Sequence, residues 1–135
     1  MNDLRSIPAY LMRGGTSKGL IFHKKDLPND RNLLTEYLLK IMGSPDIRQI
    51  NGIGGGTSVT SKVCIISKSL EKNVDIDYFF AQVEVDRKHV DYAPTCGNML
   101  SALGPFAIEE GLVKTCNEIT QVNVKSINTD ALITL

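Results

Sequence analysis

From Cys96 to Glu110 the chain is apolar nearly all the way round a helix, through Met99, Leu100, Ala102, Leu103, Phe106, Ala107 and Ile108. A helix without a wide polar face is stable only when buried, so the rest of the chain has to be built around this stretch. Gly104-Pro105 interrupts the run, and it either kinks one helix or ends one and starts another. The chain's 135 residues, 42% of them apolar, suit one domain large enough to hold such a core.

The surrounding segments read mainly as strands. Ile7 to Met12 and Gly19 to Phe22 are short strand-like runs, joined by Arg13-Gly14-Gly15-Thr16-Ser17-Lys18 with its hairpin or loop signals. An amphipathic helix follows: Leu33, Leu34, Tyr37, Leu38 and Ile41 recur at helical spacing, Asn29 or Asp30 can cap its start, and Gly43 closes it. Ser61 to Ser67 carries apolar residues on both faces and is expected to be an interior strand. Val74 to Val85 alternates, but its apolar set moves from Val74, Ile76, Tyr78 and Phe80 to Ala81, Val83 and Val85. Either a bulge or a strand wedged between two layers explains the change. Ile119 to Val124 and Ala131 to Leu135 resemble two strands around Ile127-Asn128-Thr129-Asp130. The expected class is α+β, with strands wrapped around a buried helix.

That helix begins on Cys96-Gly97-Asn98. Unpaired amides and the positive end of the helix dipole stabilise a thiolate, which makes Cys96 a candidate acid/base or nucleophile. The plainer reading is a free cysteine packed as a small hydrophobe. Pro94 keeps Ala93 out of the helical region, Thr95 can cap, and Gly97 leaves an open approach beside the sulfur. Lys62 opens the interior strand on the same alternating face as Cys64 and Ile66. Partial loss of solvent there suits an ammonium to proton transfer, whereas a strand-end lysine reaching into water is the alternative. Two glycine clusters, Gly14-Gly15-Thr16-Ser17-Lys18-Gly19 and Gly52-Ile53-Gly54-Gly55-Gly56-Thr57-Ser58, can present amides and hydroxyls to an anion or can be plain tight turns. Neither has the spacing of a nucleotide-phosphate loop. Arg13, Lys18 and Arg48 are candidate partners for carboxylates. Cys64, Cys116, His23 and His89 have no surroundings that single them out.

Fifteen basic and fifteen acidic residues cancel, which argues against nucleic acid or an anionic membrane as partner. Three cysteines without metal-ligand spacing indicate neither a disulfide framework nor a metal site, and they fit a reducing compartment. The N-terminus lacks the apolar segment of a signal peptide, and no run approaches the length of a membrane span. A cytoplasmic protein is expected.

Met12-Arg-Gly-Gly-Thr-Ser-Lys-Gly19, Gly43-Ser-Pro-Asp46, Arg48-Gln-Ile-Asn-Gly-Ile-Gly-Gly55, Thr60-Ser-Lys-Val63 and Cys96-Gly-Asn-Met99 with Gly104-Pro-Phe-Ala107 together resemble the PrpF-type isomerase family. That family includes 2-methylaconitate isomerases, 4-oxalomesaconate tautomerases and methylitaconate isomerases, and the blocks run through essentially the whole chain. The resemblance implies a fold similar to diaminopimelate epimerase, in which two similar domains each curl a mostly antiparallel sheet around a buried central helix and the active site lies between them. Residues 1–135 would then be the N-terminal domain, with the C-terminal domain absent from this chain and supplied by a second domain or by self-association. Carried over by motif, Lys62 and Cys96 match the family's acid/base residues and Ser17 matches a serine of the substrate pocket. Thr95 stands where many relatives have Asn.

The chemistry so implied fits these residue types. Moving a double bond within an unsaturated di- or tricarboxylate means removing a C–H proton beside an activated alkene, spreading the charge as a dienolate, and returning a proton at another carbon. Two proton carriers and an anion cradle are what the reaction needs. Lys62 and Cys96 would be the carriers, in either order. Ser17, Arg13, Thr16, Lys18, Gly55, Gly56, Thr57, Ser58, Gly97 and Asn98 would form the cradle, with no metal or redox cofactor required. The alternative is a non-catalytic carboxylate-binding or assembly module.

Overall fold

The computed structural model describes residues 4–116 and 118–135. Its elements, in chain order, are β1 (Tyr10–Gly14), β2 (Ser17–His23), α1 (Arg31–Met42), β3 (Lys62–Lys68), β4 (Ile76–Val83), β5 (Val90–Asp91), α2 (Gly97–Glu109), β6 (Asn123–Ser126) and β7 (Leu132–Thr134). The strands form one mixed sheet in the order β1-β2-β3-β4-β6-β7, with β5 pairing β4. The class is α+β, but β2 with β3 and β4 with β6 are parallel pairings within an otherwise antiparallel sheet.

Alternation along the central strands creates two cores. Val63 and Ile65 of β3, with Ala81 and Val83 of β4, join Leu20, Phe22, Leu34, Leu38, Leu39 and Met42 in a cluster on the α1 face. Cys64 and Ile66, with Ile76, Tyr78 and Phe80, join Met99, Ala102, Leu103, Phe106 and Ala107 in a cluster on the α2 face. The apolar shift along β4 is therefore two buried faces and not a bulge, since Lys62↔Gln82 through Lys68↔Ile76 pair in one unbroken register. Chain direction explains why the helices lie on opposite faces. Each is the crossover between parallel strands, and β4 and β6 run opposite to β2 and β3 while stepping the same way across the sheet. Crossovers of one hand then fall on opposite sides.

The helix boundaries follow from caps. Asp30 accepts the Leu33 amide at 2.8 Å, and Gly43 closes α1 at φ 86°. The buried stripe is Leu34, Leu38, Leu39 and Met42, so Leu33 is turned outward, contrary to the periodic reading. Seven apolar residues over nearly three turns offer more than one stripe, and packing in the cluster with Phe22 and Ile65 selects between them. The expected loop over residues 13–18 shrinks to a two-residue turn, Gly15-Thr16. Gly15, at φ 52°, supplies the positive φ a tight hairpin needs at its first turn position.

The apolar helix is continuous through Pro105, with neither a break nor a second start. It is also less enclosed than its sequence suggests, because Gly97, Asn98, Ser101, Pro105 and Ile108 lie on an exposed face. Its far end is tied to the first hairpin by side chains. Phe106 packs edge-on to Tyr10 and beside His23, while Glu110 meets the Tyr10 hydroxyl and His23 Nε2, the latter at 2.6 Å. Those two bonds, Tyr10's first, hold the Glu110 carboxyl below its ordinary range. No helix among the described residues is long and apolar enough to cross a membrane.

Phe106→Ala is expected to cost about 3–5 kcal/mol by urea denaturation, because a fully buried ring would be replaced by a cavity beneath both α2 and the β1–β2 hairpin. A cost below about 1 kcal/mol would show that α2 does not anchor the sheet.

Candidate active site

Strand direction brings the chemistry-bearing residues to one end of the α2 face. β2 begins at Ser17 and β3 at Lys62, running parallel, while β4 arrives antiparallel and ends with Gln82 opposite Lys62. The same end receives the start of α2. Gly14 and Gly15 press against it so closely that a Cβ on Gly14 would lie 2.6 Å from the Asn98 carbonyl oxygen, and one on Gly15 would lie 2.5 Å from Asn98 Oδ1. Asn98 Nδ2 completes the contact by donating to Thr16 Oγ1 at 3.0 Å.

Cys96, not Thr95, is the residue that caps α2 in backbone terms, and its side chain makes no cap bond. Thr95 Oγ1 instead accepts from Ser126 Oγ at 3.5 Å. The expected threonine cap is thus replaced by an open helix N-terminus whose positive end and free amides favour negative charge. Open space surrounds Gly97, as expected from its place beside the sulfur. Tyr78 Oη donates to the Cys96 carbonyl at 3.2 Å from beneath. Ser17 is buried with its hydroxyl unpaired, on the sheet face shared with Gly19 and Ile21.

Lys62 Nζ donates to Gln82 Oε1 at 2.7 Å and lies 5.3 Å from the centre of the Phe80 ring. Cys64, wholly enclosed, follows Lys62 on the same face of β3 and shares the apolar cluster with Cys96. Burial pushes its thiol up, a hydrogen bond with Tyr78 partly offsets this, and the nearby Cys96 and Lys62 act in opposite directions. Burial likewise raises the Tyr78 phenol. Both groups stay neutral near pH 7.

Other expected members lie elsewhere. Arg13 and Lys18 are cross-strand partners and share the alternating face of Leu20 and Phe22, opposite the Cys96 side. The second glycine cluster does not form an anion nest. Gly54 N–H bonds the Met42 carbonyl, Gly55 N–H that of Thr60, Gly56 N–H the Gln49 Oε1 and Thr57 N–H the Thr60 Oγ1. Glu84 and Asp86 line the cavity of about 410 Å³ beside Gly56, Thr57 and Ser58, so a carboxylate would be repelled there. A second cavity, about 540 Å³, opens on the α1 face between Lys24, Arg31, Ser67, Asp77 and Phe79, away from both carriers. Arg48 is exposed and paired with Asp46 at 3.6 Å.

Gln82, Tyr78 and Gln49 were not anticipated. Gln82 could have been found as the polar residue continuing the row of Ile76, Tyr78 and Phe80 to the strand end, but nothing local to Gln49 signals its role. Gln49 is buried and joins three segments, donating to Ser44 Oγ at 3.1 Å and Ser61 Oγ at 2.7 Å while accepting the Gly56 amide at 2.9 Å.

A family model described as PrpF protein matches residues 4–135, and the chain belongs to that family. It is 54% identical over 123 residues to the 4-oxalomesaconate tautomerase of Pseudomonas putida, covering 91% of this chain and 34% of that protein. It is 44% identical over 133 residues to the 3-methylitaconate isomerase of Eubacterium barkeri, covering 98% of this chain and 35% of that protein. The crystal structure of a methylitaconate-delta-isomerase superposes with a TM-score of 0.92 at 44% identity, covering 95% of this chain and 33% of that one. The chain therefore spans about a third of the length of these relatives.

Two outcomes check the geometry. Gln49→Leu leaves buried partners unpaired and is expected to lower stability by about 1–3 kcal/mol, with faster proteolysis within residues 51–58; a change under about 0.5 kcal/mol would mean the loop is held otherwise. Cys96 is itself buried, 7% exposed and part of the apolar cluster under α2, so under native conditions a thiol-alkylating reagent read by mass spectrometry should modify the exposed Cys116 first, Cys96 at the helix start more slowly, and Cys64 only on unfolding. Early labelling of Cys64 would contradict its burial.

Proposed function

We propose that the chain is the N-terminal domain of a cofactor-independent isomerase or tautomerase that moves a double bond in a small unsaturated di- or tricarboxylate. The observation that carries this reading is that strand register and the hairpin's seat on Asn98 put Lys62, the unpaired Ser17 hydroxyl and the α2 start at Cys96 at one end of the α2 face. Relatives named as isomerases and tautomerases of such acids support the choice over a non-catalytic binding module.

In this reading one carrier removes the C–H proton and the other returns a proton at the far carbon of the dienolate. Ser17, with Thr16, Asn98 and the amides of Gly97 and Asn98, meets a substrate carboxylate, where the helix N-terminus stabilises the accumulating charge. Arg13, Lys18 and residues Gly55, Gly56, Thr57 and Ser58 fall outside this inner cradle, and the second glycine cluster acts by supporting Lys62. The reading includes a diaminopimelate epimerase-like fold, supported by the single apolar cluster around α2 that draws residues from all six strands of the main sheet path. A second domain, or another copy, would close the pocket over the exposed face of α2. A cytoplasmic location suits the free thiols.

In the protein extended by its second domain, Lys62→Ala and Cys96→Ser are each expected to lower the rate of isotope exchange from an unsaturated tricarboxylate about a hundredfold to ten-thousandfold, with a much smaller effect on KM. Near-normal turnover in either variant would remove that residue from the mechanism.

A further inference from the structure

We infer that Gln82 is a positioning residue that aims the Lys62 ammonium into the site and couples it to the glycine-rich loop. The inference rests on the reading of Lys62 as a proton carrier, but its geometry stands by itself. Lys62 and Gln82 face each other directly across β3 and β4, with Gln82 Oε1 accepting from Nζ at 2.7 Å. The amide cannot turn over, because Nε2 donates to two carbonyls, Ser58 at 2.9 Å and Ser61 at 3.1 Å. A flipped amide would set its oxygen against both of them and present an NH₂ to the ammonium. Oε1 is thereby committed to Lys62, and Phe80 offers its ring to the same ammonium.

A lysine has four rotatable side-chain bonds, and a proton carrier has to reach one reacting carbon. Fixing the ammonium in advance removes that search from the reaction. A neutral acceptor does this without adding a full negative charge to a site meant for a polyanion. The loop enters through the same amide. Ser58 and Ser61 hold Gln82 through their carbonyls while Gln49 holds the Ser61 hydroxyl, so the order of residues 49–61 sets where the lysine points. The glycine cluster thus serves the site without touching substrate.

The test reads the lysine ammonium directly, by ¹⁵N-edited NMR of the 135-residue chain, with Lys62→Arg assigning the signal. Lys62 should exchange with water more slowly than the exposed Lys72. Gln82→Met should speed that exchange about tenfold or more, the loss expected for one hydrogen bond to a charged group. Gln82→Glu keeps an acceptor for Nζ but loses both bonds to the loop, so its exchange should fall between that of the wild type and that of Gln82→Met. A purely structural Gln82 would make the Met and Glu variants alike. Circular dichroism reports whether each variant folds, and Gln82→Asn, one methylene too short to reach Nζ, takes the place of a Met variant that does not. Exchange unchanged in Gln82→Met, equal loss in Met and Glu variants, or a wild-type Lys62 as labile as Lys72 each overturns the inference. None of these readouts depends on isomerase activity; a Lys62→Ala variant with normal isotope exchange would strike the catalytic reading and leave the positioning result standing.

Discussion

The site depends on how closely the first hairpin sits on the first turn of α2. Backbone meets backbone at Gly14, where there is no room for a side chain, while Gly15 rests on the Asn98 side chain. That contact fixes the end of the sheet to which the helix N-terminus comes, and hence which strand ends surround it. Because β2 and β3 are parallel, with Gly19 opposite Lys62, both Ser17 and Lys62 lie towards this end of the sheet. A side chain at Gly14 would push the end of β1 away from the first turn of α2. The same seating leaves the helix start without a side-chain cap, since Thr95 is turned toward Ser126 and Asn98 is engaged with Thr16. Helices normally cap or solvate those amides, and here they remain available for an anion.

Two cysteines buried in one apolar cluster sit in different backbone settings. Cys64 lies in the middle of an interior strand, where burial disfavours the thiolate and no helix terminus compensates. Cys96 lies at the boundary between extended backbone and helix, with its carbonyl held by Tyr78 and its side chain unused as a cap. Tyr78 serves both, as a buried phenol beside the Cys64 thiol and a donor to the Cys96 peptide. The α2-facing row of β4 therefore supports each candidate carrier, Tyr78 beneath Cys96 and Gln82 beside Lys62.

Features that depend on one segment were legible in the sequence. The interior strand around Lys62, the Asp30 and Gly43 caps, and the helix starting beside Cys96 each follow from residues within a few positions of one another. Features set by pairing between distant segments were not. Arg13 and Lys18 sit in a glycine-rich stretch that resembles a loop, and only the extension of β1 to Gly14 and of β2 back to Ser17 assigns them to the face away from Cys96. The glycines at 52–56 look like an anion nest until Gln49, Thr60 and the end of α1 take up their amides. The composition of α2 suggests full enclosure, yet one face is open; apolar content alone does not distinguish burial within a chain from burial against something beyond it.

The glycine loop illustrates a coupling between stability and site geometry. Gln49 adopts φ 48°, a conformation that costs a non-glycine residue about 1–2 kcal/mol. Its side chain makes three hydrogen bonds, each contributing about 0.5–1.5 kcal/mol net, so together they outweigh the strained backbone and the loss of any one narrows that margin. One of those partners, Ser61, also holds Gln82 and through it Lys62. A disturbance that frees the Gln49 side chain would let the backbone relax, release Ser61 and unfix the lysine in one step. Local strain here is balanced by bonds that lead to the site, so the order of this loop and the placement of Lys62 are set by the same interactions.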